Sequence, residues 1–179
     1  SDFTFTLPLM RSKKTTTTSK KIIGTSDTLA PTVPLNILIV DDITINQFLA
    51  QTILHDFGFK SDIAANGKIA IKLLEKNKYD LILMDLQMPE MNGWEATKYI
   101  RSKMKAPKST IPIIALTADV TKKNADKCKE AGMDAYISKP INEKDLLDKI
   151  VRLVEQHANK DAKKQQGATK ICNLDYLKS

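Results

Sequence analysis

A parallel sheet sandwiched between two layers of helices is the fold this sequence predicts, on three observations. Short apolar runs alternate with amphipathic stretches of helical period across residues 35–157. The runs are continuously apolar rather than alternating, as burial on both sheet faces demands. Four of them end in reactive side chains. Ile37-Leu38-Ile39-Val40 runs into Asp41-Asp42, Leu81-Ile82-Leu83-Met84 into Asp85, Ile111–Leu116 into Thr117, and Ala135-Tyr136-Ile137-Ser138 into Lys139.

Each element carries its own signal. Asn36–Val40 reads as strand 1. A helix over Ile45–Phe57 follows, closed by Gly58, the residue type favoured just past a helix end. Lys60–Ala64 is strand 2 and leads into an Asn66-Gly67 turn. Lys68–Lys76 is a second helix, with Ala70, Leu73 and Leu74 along one side. Asp80–Met84 is strand 3. Asn92-Gly93 introduces a third helix, Trp94–Lys103. Met104 to Thr110 is long and basic for a connection and is expected to be a mobile loop. Ile111–Leu116 is strand 4. Val120–Ala131 is a fourth helix, closed by Gly132, and Ala135–Ser138 is strand 5. Asn142 then caps a last helix carrying Leu146, Leu147, Ile150, Val151 and Val154 on one face.

Five strands alternating with five helices over about 120 residues make a doubly wound α/β domain. Right-handed crossovers place helices on both faces. The flavodoxin-like strand order 2-1-3-4-5 is the natural solution. It sets strands 1 and 3 side by side. Asp41, Asp42 and Asp85 then converge where the strand order reverses, and Thr117 and Lys139 approach from strands 4 and 5.

Composition bounds the function. The 179 residues, 42% of them hydrophobic, suit one domain with tails. No window approaches the ~18 apolar residues of a membrane span, and Phe3 to Met10 is too interrupted for a signal peptide. The formal charge is +7, but residues 1–35 and 158–179 each carry +3 and residues 36–157 only +1. The excess sits in the tails, which argues against nucleic acid as a partner. Cys128 and Cys172 form no metal or redox pattern and read as reduced thiols of a cytosolic protein, with Cys128 on a packed helix face. Residues 11–34, with Lys13-Lys14 and four threonines from Thr15 to Thr18, read as a linker. Residues 158–172, rich in Lys and Gln, read as a second.

Three carboxylates in one pocket repel one another and call for a cation. Oxygen donors without His or Cys favour Mg²⁺. Lys139 is a compact charge suited to phosphate, and Thr117 offers a hydroxyl to a phosphoryl oxygen. Asp85 is then placed to act as a nucleophile on phosphorus. Taken singly, Asp41-Asp42 is an acidic capping turn, Thr117 a helix-initiating hydroxyl, Tyr136 a core aromatic and His55 an ordinary surface residue. Asp41-Asp42, Asp85, Thr117 and Lys139, taken together at the ends of four strands, form a metal-dependent phosphate site.

Ile39-Val40-Asp41-Asp42, Asn46, Met84-Asp85-Leu86-Gln87-Met88-Pro89-Glu90-Met91-Asn92-Gly93, Leu116-Thr117-Ala118 and Ala131–Pro140 resemble the response-regulator receiver domain of two-component signalling. The resemblance covers residues 36–157. It implies Asp85 as phosphoacceptor and Mg²⁺ ligation by Asp42, Asp85 and the backbone carbonyl of Gln87, with Asp41 acting largely through water. It also implies Thr117 and Lys139 as holders of the phosphoryl group, and Tyr136 as an aromatic that turns inward on activation. The donor would be a phosphohistidine of a kinase dimerisation domain, with a histidine phosphotransfer domain as a further acceptor; a weak homodimer is compatible with it.

Residues 1–10 resemble the end of a histidine-kinase ATP-binding domain, and residues 173–179 the start of a histidine phosphotransfer domain. With the receiver at 35–157 between them, that is the order of a hybrid sensor histidine kinase. Its receiver would be cytoplasmic and free of membrane contact, whether or not the parent is membrane-anchored. The segment carries no ATP-binding motif and is not expected to phosphorylate itself from ATP. Two other classes compete. A haloacid-dehalogenase-type Mg²⁺-dependent phosphatase needs a second aspartate two positions after the nucleophile, where this chain has Gln87. A nucleotide- or flavin-binding module needs a Gly- or hydroxyl-rich loop after strand 1, where this chain has Asp41-Asp42-Ile43-Thr44.

Overall fold

The computed structural model of the chain describes residues 34–118 and 121–172, with side chains for 34–118, 121 and 124–157. The expectations for residues 1–10 and 173–179, and for the linker 11–34 apart from Pro34, lie outside the described residues. The elements are β1 (Asn36–Val40), α1 (Thr44–Asp56), β2 (Lys60–Ala64), α2 (Gly67–Lys76), β3 (Leu81–Asp85), α3 (Gly93–Lys103), a 3-10 turn (Lys108–Thr110), β4 (Ile113–Thr117), α4 (Lys122–Ala131), β5 (Ala135–Ser138) and α5 (Glu143–Cys172). The five strands are all parallel, in the order β2-β1-β3-β4-β5. The predicted flavodoxin-like fold is the one observed.

Alternate residues of each central strand serve different cores. Ile37, Ile39, Leu81, Leu83, Ile114 and Leu116 face α1 and α5, where they meet Ala50, Ile53, Leu54, Leu146 and Ile150. Leu38, Val40, Ile82, Met84, Ile113 and Ala115 face α2, α3 and α4, where they meet Ala70, Leu74, Ala96, Ile100 and Cys128. All twelve strand residues are buried, which explains why these runs contain no polar residue. β2 is an edge strand, and its first four positions are exposed or half-buried.

The helix ends follow the sequence signals. Asn66 accepts from the backbone of Ile69 to cap α2, and Asn92 and Glu95 form a reciprocal capping box on α3. Gly58 and Gly132 sit at φ of +79° and +94°, just past α1 and α4. Asn142 accepts from Asp145 N–H at 3.0 Å at the start of α5.

α5 continues through the stretch 158–172, read above as a linker, to Cys172. Lys, Gln and Ala are good helix formers, and no proline interrupts them. One expectation needs correction. The stretch Met104 to Thr110 is not an open loop. Arg101 donates to Ser109 O at 2.9 Å, Lys108 donates to Glu75 O at 2.7 Å, and the segment closes into the 3-10 turn. Arg101 also donates to Gly132 O and pairs with Asp134 at 2.9 Å, joining α3 to the α4–β5 turn. Burial lowers the Arg101 pKa, against the pull of Asp134.

Gly93 is set by crowding rather than by backbone angle. A Cβ there would lie 2.2 Å from Asp85 O. At Gly58 nothing lies within 4 Å of a Cβ, so only the positive φ matters. Urea unfolding is expected to show Gly58→Ala costing about 1 kcal/mol and Gly93→Ala clearly more. Leu83→Ala is expected to cost about 2–5 kcal/mol. Equal costs at the two glycines would contradict the distinction.

Candidate functional site

The carboxyl ends of β1, β3, β4 and β5 deliver their polar residues to one edge of the sheet. Val40 pairs with Met84, Asp85 with Leu116, and Thr117 with Ser138. Asp41 and Asp85 are almost fully buried, at 1% and 5% exposure, while Asp42 is exposed. Lys139 Nζ lies 2.7 Å from Asp41 Oδ2 and 2.7 Å from Asp85 Oδ2. The ammonium therefore bridges two buried carboxylates, one from β1 and one from β3.

Each carboxylate has further donors. Asp41 Oδ1 accepts from Ile43 N–H at 2.9 Å and from Asn46 Nδ2 at 3.2 Å. Gln47 Nε2 donates to Asp41 O at 2.6 Å. Asp85 Oδ1 accepts from Gln87 N–H at 3.2 Å. Thr117 O accepts from Lys139 N–H at 2.7 Å, so β4 holds the backbone that presents the ammonium.

Burial raises the Asp85 pKa above the ordinary carboxylate range; Lys139 and the Gln87 N–H oppose that shift without cancelling it. Burial lowers the Lys139 pKa, but hydrogen bonds to Asp41 and Asp85 outweigh it and the net direction is up. Lys139 thus stays charged. With a folded pKa above the unfolded one, Asp85 weakens the fold at neutral pH, and this loss is relieved as pH falls through the folded value.

The structure brings Asp41, Asp42, Asp85, Gln87, Thr117 and Lys139 to this edge. One oxygen from each of Asp41, Asp42 and Asp85 lies within 4.8 Å of the others. Three hard oxygen donors at that spacing fit a cation such as Mg²⁺, which tolerates few protein ligands and keeps waters. Thr117 is buried, so its replacement would remove packing as well as a hydroxyl. Tyr136 is not in this cleft. It is 39% exposed and lines a groove with Cys128, Met133 and Lys149.

Sequence reasoning gave no role to three residues. Asn46 and Gln47 hold Asp41 from the first turn of α1, and the only signal was a pair of amides following an acid pair. Trp94 lines the cleft with Asp85, Gln87, Thr117 and Lys139. Its signal was its place in the first turn of the helix that follows the Asp85 loop.

Residues 37–151 match the family described as response regulator receiver domain. The chain is 39% identical to hybrid signal transduction histidine kinase B of Dictyostelium discoideum, over 69% of this chain and 7% of that protein. It is 35% identical to the aerobic respiration control sensor protein ArcB of Escherichia coli, over 63% of this chain and 14% of that protein. The chain thus spans a small part of the curated relatives it matches. Among solved structures it resembles the receiver domain of the sensor histidine kinase PA1611 from Pseudomonas aeruginosa, described with a magnesium ion coordinated in the active site cleft. That likeness has a TM-score of 0.63 at 32% identity and covers 69% of this chain and 99% of that one. A receiver domain protein from Methanospirillum hungatei gives 0.64 at 30% identity, over 72% of this chain and 99% of that one.

Lys139→Met keeps the aliphatic stem and removes the charge that opposes the upward shift of Asp85. In chelator, carboxyl-carbon NMR titration is expected to place Asp85 higher in the variant than in the wild type. An unchanged or lower value would show that Lys139 does not stabilise the Asp85 carboxylate.

Proposed function

Because this chain belongs to the response regulator receiver domain family, a phosphoacceptor of two-component phosphorelays, we propose that Asp85 is the residue that takes the phosphoryl group. The observation that carries this is the placement of Asp85: it is buried at the end of the central strand, 2.7 Å from a lysine ammonium and beside two more carboxylates. One Asp85 oxygen forms the new P–O bond. The P–N bond of a phosphohistidine donor breaks, and its imidazole nitrogen keeps the electron pair. Nothing here supports the phosphatase alternative, and Gln87 stands where its second acid would be.

Asp42, Asp85 and the Gln87 carbonyl would hold Mg²⁺, with Asp41 next to it through water. The ion, when bound, neutralises charge on the transferring phosphoryl oxygens. Lys139 would leave its Asp85 contact for a phosphoryl oxygen, and the Thr117 hydroxyl would bind another. Tyr136, exposed on β5, would turn inward once Thr117 is drawn to the phosphoryl group. Incubation with acetyl phosphate and Mg²⁺ is expected to add one phosphoryl mass to the wild type and none to Asp85→Asn. Excess chelator is expected to stop the labelling. Labelling of Asp85→Asn at the wild-type rate would overturn the assignment. Asp42→Ala is expected to weaken Mg²⁺ binding more than Asp41→Ala.

The donor would dock on α1. Ile43, Ile45, Phe48 and Leu49 are 49%, 69%, 64% and 42% exposed. Ile45, Phe48 and Leu49 share one face of the helix by their spacing, and Ile43 lines the cleft. An apolar stripe beside a polar cleft suits a helical partner that carries its histidine to Asp85. That partner would be the kinase dimerisation helices of a hybrid histidine kinase, or a phosphotransfer domain, working in the cytoplasm. No helix among the described residues is long and apolar enough to cross a membrane. Phe48→Ala is expected to slow transfer from a phosphohistidine protein by about tenfold, a typical loss for an interface aromatic. Labelling by acetyl phosphate should be unchanged. Equal loss with both donors would place Phe48 in the fold or the chemistry rather than in docking.

A further inference from the structure

The loop after Asp85 is fastened at its neck and at its tip. At the neck, Leu86 N–H donates to Leu116 O at 3.3 Å and Gly93 N–H to Leu86 O at 3.2 Å. At the tip, Glu90 has a φ of +65°, and Met91 N–H donates to Pro89 O at 2.7 Å. A bond from residue i+2 back to residue i around a positive φ makes a γ-turn of the rarer, strained kind. Glycine or asparagine would adopt that backbone more easily.

The glutamate side chain has its own partners. Glu90 Oε1 accepts from Asn66 Nδ2 at 3.1 Å, and Oε2 lies 3.4 Å from Lys68 Nζ. Between those two residues, Gly67 N–H donates to Met91 O at 3.2 Å. A Cβ on Gly67 would sit 2.7 Å from Met91 Cγ, so the two segments are in close contact. Three consecutive residues at the start of α2 thus grip two consecutive residues of the loop. Asn66 is buried and uses both ends of its amide: Oδ1 caps α2 at Ile69 N–H, and Nδ2 holds Glu90.

Gln87 lies between the fixed neck and the gripped tip. Its N–H holds Asp85 Oδ1, and only Met88 and Pro89 separate it from Glu90. Proline fixes its own φ, so little slack remains. A shift of the tip is therefore passed to the Gln87 peptide.

We propose that the Asn66–Glu90 hydrogen bond is a latch that sets the divalent-cation affinity of the acid cluster by fixing the Gln87 peptide. The inference rests on the reading above that the Gln87 carbonyl and the acids hold Mg²⁺. Asn66 and Glu90 touch none of the reacting atoms; they are positioning residues. Lys68 is half-exposed and adds little, as surface pairs do.

Asn66→Asp keeps the acceptor that caps α2 and loses the donor to Glu90, setting two carboxylates face to face. An acidic cap also suits a helix N-terminus, so α2 itself is not weakened. Combining Asn66→Asp with Glu90→Gln returns a donor from the opposite side. Mg²⁺ is titrated without any phosphoryl donor and followed by backbone amide NMR shifts, and melting midpoints are measured in chelator. Asn66→Asp is expected to weaken Mg²⁺ binding about tenfold, as loss of a group supporting a metal ligand does. The double variant is expected to recover to near the wild-type affinity. Glu90→Gly keeps the turn and the cap but removes the carboxylate, and should match the loss if Asn66→Asp does not fold. Unchanged affinity in Asn66→Asp or Glu90→Gly, or no recovery in the double variant, overturns the latch. A wild type that binds no Mg²⁺ overturns the cation reading and the latch with it, whereas a wild type that binds while the variants bind equally well overturns the latch alone.

Discussion

The ammonium of Lys139 between the carboxylates of Asp41 and Asp85 is the contact on which this molecule's chemistry depends. Burying two acids a few ångströms apart is unfavourable without a compensating charge. The doubly wound order supplies that charge from the far end of the chain, because β5 lies two strands from β3. The same contact ties β1 to the β5–α5 connection across the edge of the sheet. It also leaves the cluster short of positive charge: among the described residues the three acids pair with Lys139 alone, and it reaches only Asp41 and Asp85. A cluster left in that state favours a bound cation.

The folding pattern does two jobs with one alternation. Odd and even residues of β1, β3 and β4 fill separate cores, so neither face is free to expose the strands to water. Polar residues are then admitted only where the strands run out. That is why the reactive side chains cluster at the edge without special pleading, and why the apolar runs point at them so clearly. Lys139 owes its reach to this arrangement as well: Thr117 fixes its backbone, and four methylenes carry the charge inward.

Much of this was legible in sequence, and the gaps have physical reasons. Strand identity, strand order and the convergence of Asp41, Asp42, Asp85, Thr117 and Lys139 followed from where apolar runs stop. Helix ends followed from Asn66, Asn92, Gly132 and Asn142. The helical course of residues 158–172 was not read, because polarity reports burial while helix formation depends on backbone propensity. Composition misled at Met104 to Thr110, whose order comes from Arg101 and Lys108, contacts with no sequence period. The contacts of Asn46 and Gln47 with Asp41, and the Asn66–Glu90 bond, were invisible for the same reason. Each depends on which side chains a finished fold brings within reach.

Trp94 gives the cleft an unplanned optical property. It is the chain's one tryptophan, and it lines the wall beside Asp85 and Lys139. Its indole nitrogen is buried, and the ring packs against the core that holds Cys128. Emission excited at the red edge of protein absorption therefore arises from a single place, in the cleft that Asp85 and Lys139 also line. Intrinsic fluorescence of this domain thus reports on the surroundings of one cleft residue rather than on an average over the fold, and it needs no attached dye.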